Sequence, residues 1–511
     1  MTTTINPLMS PHKTKKVIKL VPPDGGWGWM VILGTALSNI FNVSMLSLFS
    51  LVYGDALEAM GHKTQGAAVV LSSMLFVSNF GGPVAGAIVK ITSPRFTAVM
   101  GACFCTVGIF FSGFSTNIWH LVTTYGVLLG LGLDCISNST FVSINSYFKQ
   151  RKSQAVGLAN VGTNIGQMLM PHVVRYLLEN YGFRGTCLLL SALSFNGVAG
   201  CLLLQPVKIH MKKIIEEVTV DETIYSLENE QFDMVVVERP DLNQELPKCN
   251  KQQTEMQLVN RSKINVSKES TDKLETTSPN KNDSFEEGKE SNWLRKLYDL
   301  FGIVLLSDIR FINIVIGTAL TTTSIANFSL VYPLFLQNAA SLDKQQTANC
   351  MSAVAAADMV GRLTLPVLQD KFKIKARWML IMTAIWVIVI RQILAHQTDV
   401  TLLLALSILY GFGRSMTVVT KNITISENCK SELVPAAVGL GMLSMGIIAP
   451  PLGYFLGWIR DYTDSYIACI AAQNALLVIL LVTWLPDMLY LHIKSNKEKK
   501  TLDPIKVFTK M

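Results

Sequence analysis

Twelve apolar segments, each long enough to cross a bilayer, constrain this chain more than any other feature of its sequence. A helix needs about 20 apolar residues to span roughly 30 Å of hydrocarbon. The chain is 50% hydrophobic and only 16% charged, whereas a soluble protein carries about 25% charged residues. The sequence therefore predicts an all-α polytopic membrane protein. Its twelve transmembrane segments begin near Trp27, Gln65, Phe96, Ile118, Gln154, Arg184, Ile309, Gln345, Arg377, Val400, Val434 and Tyr466.

A polar stretch in the middle of the chain divides these segments into two sets of six. Residues 207–306 are rich in Glu, Ser, Lys and Asn and lack apolar periodicity, so we expect a disordered cytoplasmic linker. It joins an N-terminal half, 27–206, to a C-terminal half, 307–490, with cytoplasmic tails at 1–26 and 491–511. This arrangement resembles that of major facilitator transporters, in which substrate binds between the halves near the middle of the membrane.

Charge and motif content narrow the functional class. The net charge is +8, but the basic residues lie in short connectors and form no single basic face, so we expect no nucleic-acid partner. Their concentration at the tails and at alternate connectors predicts that both termini are cytoplasmic. The sequence contains no HExxH, P-loop, nucleophile elbow or metal-ligand spacing, so we expect neither an enzyme nor a cofactor or metal site.

Three pairs of glycines have the spacing that allows transmembrane helices to approach closely. Such contacts suit a bundle whose halves rock against each other, although they occur in many polytopic proteins. The pairs are Gly126 and Gly130, Gly162 and Gly166, and Gly453 and Gly457.

Two full charges interrupt the apolar stretch "SAVAAADMVGRLTLP" in the eighth segment. Each of Asp358 and Arg362 costs roughly 2.5 to 3.5 kcal/mol at the centre of a membrane helix. Because they are four residues apart, they share one face of the helix and can pair. An ionisable residue inside the membrane indicates a functional site, and a purely structural ion pair is the alternative.

Other polar residues in apolar segments are further candidates for a site. Asp134 can bind a proton or cation, or neutralise a neighbour, and Asn138, one turn later, can bind substrate or bridge helices. Arg414 can supply a second cation or extend to the interface. Arg391 lies near the end of the ninth segment, where we expect it to snorkel. At the start of the first segment, Asp24 is expected to cap the helix.

The stretch "PPDGGWGWMV", residues 22–31, closely resembles the signature of the monocarboxylate transporter family. "YFKQRKSQAVGLANVGTNIG", "YGFRG" and "ADMVGR" resemble the same family further along the chain. The resemblance covers nearly the whole chain apart from the tails and the linker. It implies a plasma-membrane transporter of monocarboxylates or related small organic acids, working by alternating access. Its implied partners are an organic anion, a proton, the lipid bilayer and a single-span ancillary glycoprotein.

The resemblance also implies roles for individual residues. Arg362 matches the arginine that engages the substrate carboxylate, and Asp358 matches the aspartate tied to proton coupling, with Asp134 as a second candidate for coupling. Proton-coupled members carry a lysine in the first helix, where this chain has Ser47. The substrate-binding candidates are Arg362, Arg414, Asn138 and Ser47.

Two alternative functions stay open at this point. Members of the family without the first-helix lysine handle aromatic amino acids, thyroid hormones or carnitine-like solutes, often without proton coupling. A membrane sensor that uses a transporter fold, but moves no solute, is the other alternative.

Overall fold

The computed structural model describes residues 14–61, 64–219, 296 and 298–508. The chain divides into two compact units, one from residues 1–21 and 213–296, the other from 22–212 and 297–511. The first unit contains a two-stranded sheet of β1 (Thr14–Val21) and β2 (Lys212–Thr219). The predicted disorder is therefore wrong for β2, where Ile and Val side chains favour a strand, and also for the 3-10 segments Val207–Ile209 and Ile303–Ser307 at the ends of the linker. Residues 220–295 and 297 of the predicted linker lie outside the described residues.

The second unit is a bundle of long helices, which we number as the twelve predicted spans. α1 runs through three consecutive pieces, Trp27–Phe41, the 3-10 segment Val43–Leu48 and Phe49–Ala59. The others are α2 (Thr64–Phe80 and Gly82–Ile91), α3 (Pro94–Ser112), α4 (Ile118–Tyr147), α5 (152–181), α6 (183–202), α7 (Ile309–Asn338), α8 (Lys344–Lys371), α9 (Ala376–Leu394), α10 (Val400–Glu427), α11 (Val434–Thr463) and α12 (Tyr466–Phe508).

Two breaks in helical geometry explain how these elements make twelve spans. α2 bends by 43° at the sequence Gly81-Gly82-Pro83, because proline lacks a backbone N–H group and glycine is a weak helix former. α5 and α6 follow each other within Lys152–Leu202, which breaks at Gly182 with φ 64° and ψ −176°, a conformation open only to glycine. Within the described part of the chain, the predicted twelve transmembrane helices are therefore confirmed.

The glycine pairs differ in what they contact. Gly126 and Gly130 bring α4 against α2, since a Cβ atom at Gly130 would lie 3.0 Å from the backbone oxygen of Met74. Gly162 and Gly166 bring α5 against α1 in the same way. The third expected contact is wrong, because a Cβ atom at Gly457 would have no heavy atom within 4 Å.

The two halves meet through a limited set of helices. Their extensive contacts join α2, α4 and α5 to α8, α10 and α11. Gly86 of α2 faces the backbone of Pro435 in α11, and Gly157 of α5 faces the backbone of Arg362 in α8. Gly86, Pro435 and Gly157 lie towards the face of the bundle at which α1 begins, which we call the terminal face. The halves are therefore closed against each other near the terminal face.

Candidate functional site

A cavity of about 260 Å³ lies between the two halves. Its N-terminal wall comes from α1, α2, α4 and α5 and presents hydroxyl and amide groups. Its C-terminal wall comes from α10 and α11 and presents one basic side chain, Lys421, beside Asn422. A largely apolar cavity with a few polar groups is typical of a site for a small molecule. The polar residues of the N-terminal wall include Thr35, Asn39, Ser137, Thr140, Asn160 and Thr163.

Lys421 is the charged residue of this cavity, and sequence analysis missed it together with the polar residues of both walls. It lies on the last part of α10, seven residues after Arg414, so that both side chains project from the same face of the helix. Within the described residues, no acidic side chain forms an ion pair with Lys421. The neighbouring charge that acts on it, Arg362, is also positive. The spacing from Arg414 was the available signal, but proximity to the helix end makes Lys421 resemble an interfacial lysine.

The predicted pairing of Asp358 with Arg362 is confirmed. Nη2 of Arg362 lies 2.8 Å from Oδ2 of Asp358, and both side chains are buried. The side-chain amide of Asn164 donates to the same carboxylate oxygen at 3.2 Å. Nη1 of Arg362 donates to the backbone carbonyl of Asn160 at 3.2 Å. Since Asn160 also lines the cavity, the pair lies directly behind the cavity wall.

Arg414 is the second cation near Asp358. Its Nε lies 3.9 Å from Oδ1 of Asp358, and 31% of its side chain is exposed. Arg362 and Arg414 therefore share one carboxylate, and Lys421 adds a third positive charge near Arg362. This excess of positive charge in a low-dielectric environment attracts an anion.

Asp134 and Asn138 lie on α4, close to the bend of α2. Asp134 is 1% exposed, packs beside Gly81, and its Oδ1 has no hydrogen-bond partner among the described residues. The amide of Asn138 donates to the carbonyl oxygens of Pro435 at 3.3 Å and Gly82 at 3.5 Å. It thus bridges α4 to α11 and α2, behind the cavity.

Ser47 lies in the 3-10 segment of α1, and its side chain lies outside the described residues. The expected roles of Ser47, Asn138 and Asp134 in binding or coupling stay predictions.

The expectation that Arg391 snorkels is wrong. Its side chain is fully buried and donates to the Ser324 hydroxyl at 2.8 Å and to the Tyr410 hydroxyl at 3.2 Å. Its guanidinium also lies over the ring of Phe328, 4.3 Å from the centroid. Hydroxyl groups and aromatic faces from α7 and α10 thus replace the interfacial water that a snorkelling arginine would seek.

The expected cap by Asp24 is wrong as well. Its Oδ1 accepts backbone N–H groups of Lys149 at 2.6 Å and Gln150 at 2.8 Å. The first helix begins after Gly26, which provides no side-chain cap. Asp24 therefore ties the start of α1 to the α4–α5 loop, a contact that the local sequence does not reveal.

Comparison with known proteins agrees with this architecture. The family described as the Major Facilitator Superfamily matches residues 31–447 and 314–509. The human organic anion transporter MFSD10 (TETRAN) superposes with a TM-score of 0.58 at 12% identity, covering 91% of this chain and 100% of that chain. At this identity the likeness shows the fold alone.

Curated relatives are more similar in sequence over part of the chain. Monocarboxylate transporter 13 of Rattus norvegicus is 32% identical over 188 residues, which cover 37% of this chain and 44% of the relative. Monocarboxylate transporter 2 of Mus musculus is 30% identical over 184 residues, which cover 36% of this chain and 38% of the relative. The aligned parts span less than half of each relative. The family match shows that the chain belongs to the Major Facilitator Superfamily, and over part of its length the chain is similar to monocarboxylate transporters.

Proposed function

We propose that this protein is a secondary active or facilitative transporter of monocarboxylates or related small organic acids, and that it works by alternating access. The observation that carries the proposal is Lys421, a cation without an acidic partner among the described residues, on the wall of a cavity between the halves. The Asp358, Arg362 and Arg414 cluster lies just behind that wall. The names of the similar proteins, monocarboxylate transporters and an organic anion transporter, support the same substrate class.

The chemistry of the cavity suits a small carboxylate. The ammonium of Lys421 is a compact charge on a flexible stem, which can meet an entering anion, whereas the guanidinium of an arginine holds a carboxylate with two parallel hydrogen bonds. Hydroxyl and amide groups of the opposite wall can bind further polar atoms of the substrate. Apolar lining residues such as Met74 and Leu133 accept its hydrocarbon part.

Asp358 offers a route to proton coupling. A substrate carboxylate that reaches Arg362 or Arg414 must compete with Asp358 for the same guanidinium groups. Protonation of Asp358 removes this competitor, so that binding of the proton and of the anion favour each other. Without a proton, Asp358 stays paired with Arg362, and the substrate carboxylate must displace it from the guanidinium.

Ser47 favours a second candidate function. A family member without the first-helix lysine is expected to carry other solutes, such as aromatic amino acids, thyroid hormones or carnitine-like compounds, without proton coupling. The position of Lys421 on α10 supports a cation that approaches the substrate from the C-terminal half instead.

Orientation and location belong to the same proposal. The basic connectors support cytoplasmic termini, so that the terminal face is the cytoplasmic face, and the family supports the plasma membrane and a single-span ancillary glycoprotein as partner. Antibody access to terminal tags in intact and permeabilised cells tests the orientation. Labelling of both tags in intact cells would overturn it.

Uptake of a panel of labelled acids and amino acids, with and without a pH gradient, tests the transport function. The wild type is expected to accumulate at least one carboxylate, and Lys421→Gln to lose most of that uptake. Arg175→Gln is the matched control, because Arg175 is 78% exposed and its ion pair among the described residues is with Glu179, one turn later on the same helix. Saturable binding without any flux would instead identify a sensor.

A further inference from the structure

A second cavity, of about 490 Å³, lies at the terminal face. The α4–α5 loop forms one side of it, and the end of α8 with the α8–α9 loop forms the other. It shares no lining residue with the central cavity. Six basic residues line it, against two acidic ones, Asp370 and Glu427. The basic residues are Lys149, Arg151, Lys152, Lys371, Lys373 and Lys375.

Backbone groups already engage both acidic residues. Oδ2 of Asp370 accepts the N–H of Gln154 at 2.9 Å, in the first turn of α5. Oε2 of Glu427 accepts the N–H of Ala376 at 3.1 Å, at the start of α9. Each carboxylate thus stabilises the positive end of a helix dipole. Both carboxylates are therefore engaged at helix ends, and two acidic side chains offset the charge of six basic ones only in part.

Several of the cations that line the cavity form no ion pair within the described residues. Within the described residues, Arg151, Lys371 and Lys373 form no ion pair, and the amine of Lys152 donates to the neutral hydroxyl of Ser426. Positive charges from two loops face each other across a space large enough for a multivalent anion. Their repulsion falls when such an anion lies between them.

We propose that this cavity binds a phosphate-bearing anion, which bridges the two halves at the terminal face. Phosphomonoesters carry close to two negative charges and several strong acceptor oxygens each, and thus match a cluster of six cations better than a monovalent carboxylate does. Basic pockets between transmembrane helices on the cytoplasmic side bind anionic lipid headgroups by this chemistry. A soluble polyphosphate presents the same groups.

Bridging of the halves gives the site a regulatory consequence. Alternating access requires the α4–α5 and α8–α9 loops to separate when the terminal face opens. An anion bound to both loops stabilises the conformation in which this face is closed, as observed here. It therefore slows the transport cycle while it is bound.

Thermal unfolding of the purified full-length protein tests the proposal. One arm adds inositol hexakisphosphate to protein in phosphatidylcholine nanodiscs, and the other incorporates phosphatidylinositol bisphosphate into the nanodiscs. We expect a saturable rise in the unfolding temperature in at least one arm. A rise with the lipid alone assigns a headgroup as the ligand, and a rise with the soluble probe alone assigns a soluble anion. No rise in either arm overturns the proposal.

Matched double variants locate the effect. Lys371→Gln with Lys373→Gln removes two exposed cations from the cavity and is expected to weaken the response at least about tenfold in half-saturating concentration. Lys208→Gln with Lys212→Gln makes the same change of charge outside the cavity and is expected to respond as the wild type does. Equal weakening in both double variants would show nonspecific attraction and would overturn the assigned site.

Discussion

The pentapeptide Phe-Ser-Leu-Val-Tyr occurs twice in this chain, at residues 49–53 in α1 and at 328–332 in α7. In the first copy Phe49 stacks on Tyr53 at 5.1 Å, and in the second Phe328 stacks on Tyr332 at 5.2 Å. A tyrosine from the fourth helix of the same half completes each cluster. Tyr125 lies 4.9 Å from Phe49, and Tyr410 lies 4.6 Å from Phe328. The two halves therefore use the same packing at corresponding places.

The two clusters differ in the residue contributed by the third helix of each half. In the N-terminal half, Ile109 of α3 packs with Phe49, Tyr53 and Tyr125 around a small void. In the C-terminal half, Arg391 of α9 lies over Phe328 and Tyr410. The same arrangement of one phenylalanine and two tyrosines thus packs against an apolar side chain in the N-terminal half and against a buried cation in the C-terminal half.

The same asymmetry extends to the whole bundle. Among the described residues, the N-terminal half buries one charged side chain, Asp134, whereas the C-terminal half buries Asp358, Arg362, Arg377 and Arg391. The related halves thus provide similar scaffolds, and most of the buried charge among the described residues lies in the C-terminal half.

The largest effect is expected from Ile109→Arg, which gives the N-terminal cluster the cation of the other half. The cluster offers few free acceptors, because Ser112 already bonds Tyr53 and a backbone carbonyl, so a buried guanidinium stays unsatisfied. We expect at least a tenfold loss of monodisperse protein in size-exclusion chromatography of a fluorescent fusion, with Ile109→Met as the control. A normal yield of Ile109→Arg would show that packing does not explain why the cation occurs in the C-terminal cluster and not in the N-terminal one.

Arg362→Lys is expected to leave folding intact and to lose most carboxylate transport. Arginine contacts both Asp358 and the Asn160 carbonyl through separate nitrogens, and lysine keeps the charge without the fork. Uptake normalised to surface expression should fall by about tenfold or more, which corresponds to about 1.4 kcal/mol or more. Uptake at the wild-type level would contradict a role for the fork.

Lys421→Gln is expected to raise the KM for an anionic substrate about tenfold, equivalent to about 1.4 kcal/mol. Thr163→Val, on the opposite wall of the same cavity, removes only a hydroxyl group and should raise KM by roughly threefold or less. Concentration-dependent uptake measures both, and Lys421→Arg should retain binding. An equal rise in KM from Lys421→Gln and from Thr163→Val would show that the charge on the C-terminal wall contributes no more to binding than a hydroxyl group on the N-terminal wall.

Arg391→Ile makes the C-terminal cluster resemble the N-terminal one. We expect a loss of stability of about 1 to 3 kcal/mol, because the Ser324 and Tyr410 hydroxyls lose their charged donor, with transport activity per folded molecule retained. Thermal unfolding of wild type and variant measures the stability. A large loss of activity at normal stability would place Arg391 in the transport cycle.

The smallest effect is expected from Ser47→Lys, which places a lysine where the sequence resemblance implies one in proton-coupled members. Arg414 and Lys421 already supply positive charge from the C-terminal half, so we expect a further cation on α1 to add little to anion binding. Lactate-driven intracellular acidification should stay near the wild-type level, also when Ser47→Lys is combined with Arg414→Ala. A strong gain in lactate-driven acidification from Ser47→Lys alone would instead indicate a proton-coupled lactate transporter.

Local properties of the sequence determined the twelve spans, the two halves and the Asp358–Arg362 pair. Bilayer thickness sets the length of an apolar span, and helix periodicity places residues four apart on one face. Both rules act within one segment, so no knowledge of neighbouring helices is required. The twice-used pentapeptide is equally visible in the sequence, although its structural meaning emerged from the packing.

Only the tertiary structure decided which charges face a cavity, a neighbouring helix or the membrane surface. Lys421 and Arg391 both read as basic residues near the ends of spans, yet one lines the central cavity and the other is buried among aromatic rings. Asp370 stabilises α5, a helix that lies more than 200 residues earlier in the chain. The physical reason is that hydropathy is a property of each segment, whereas the partner of a side chain depends on how distant segments pack.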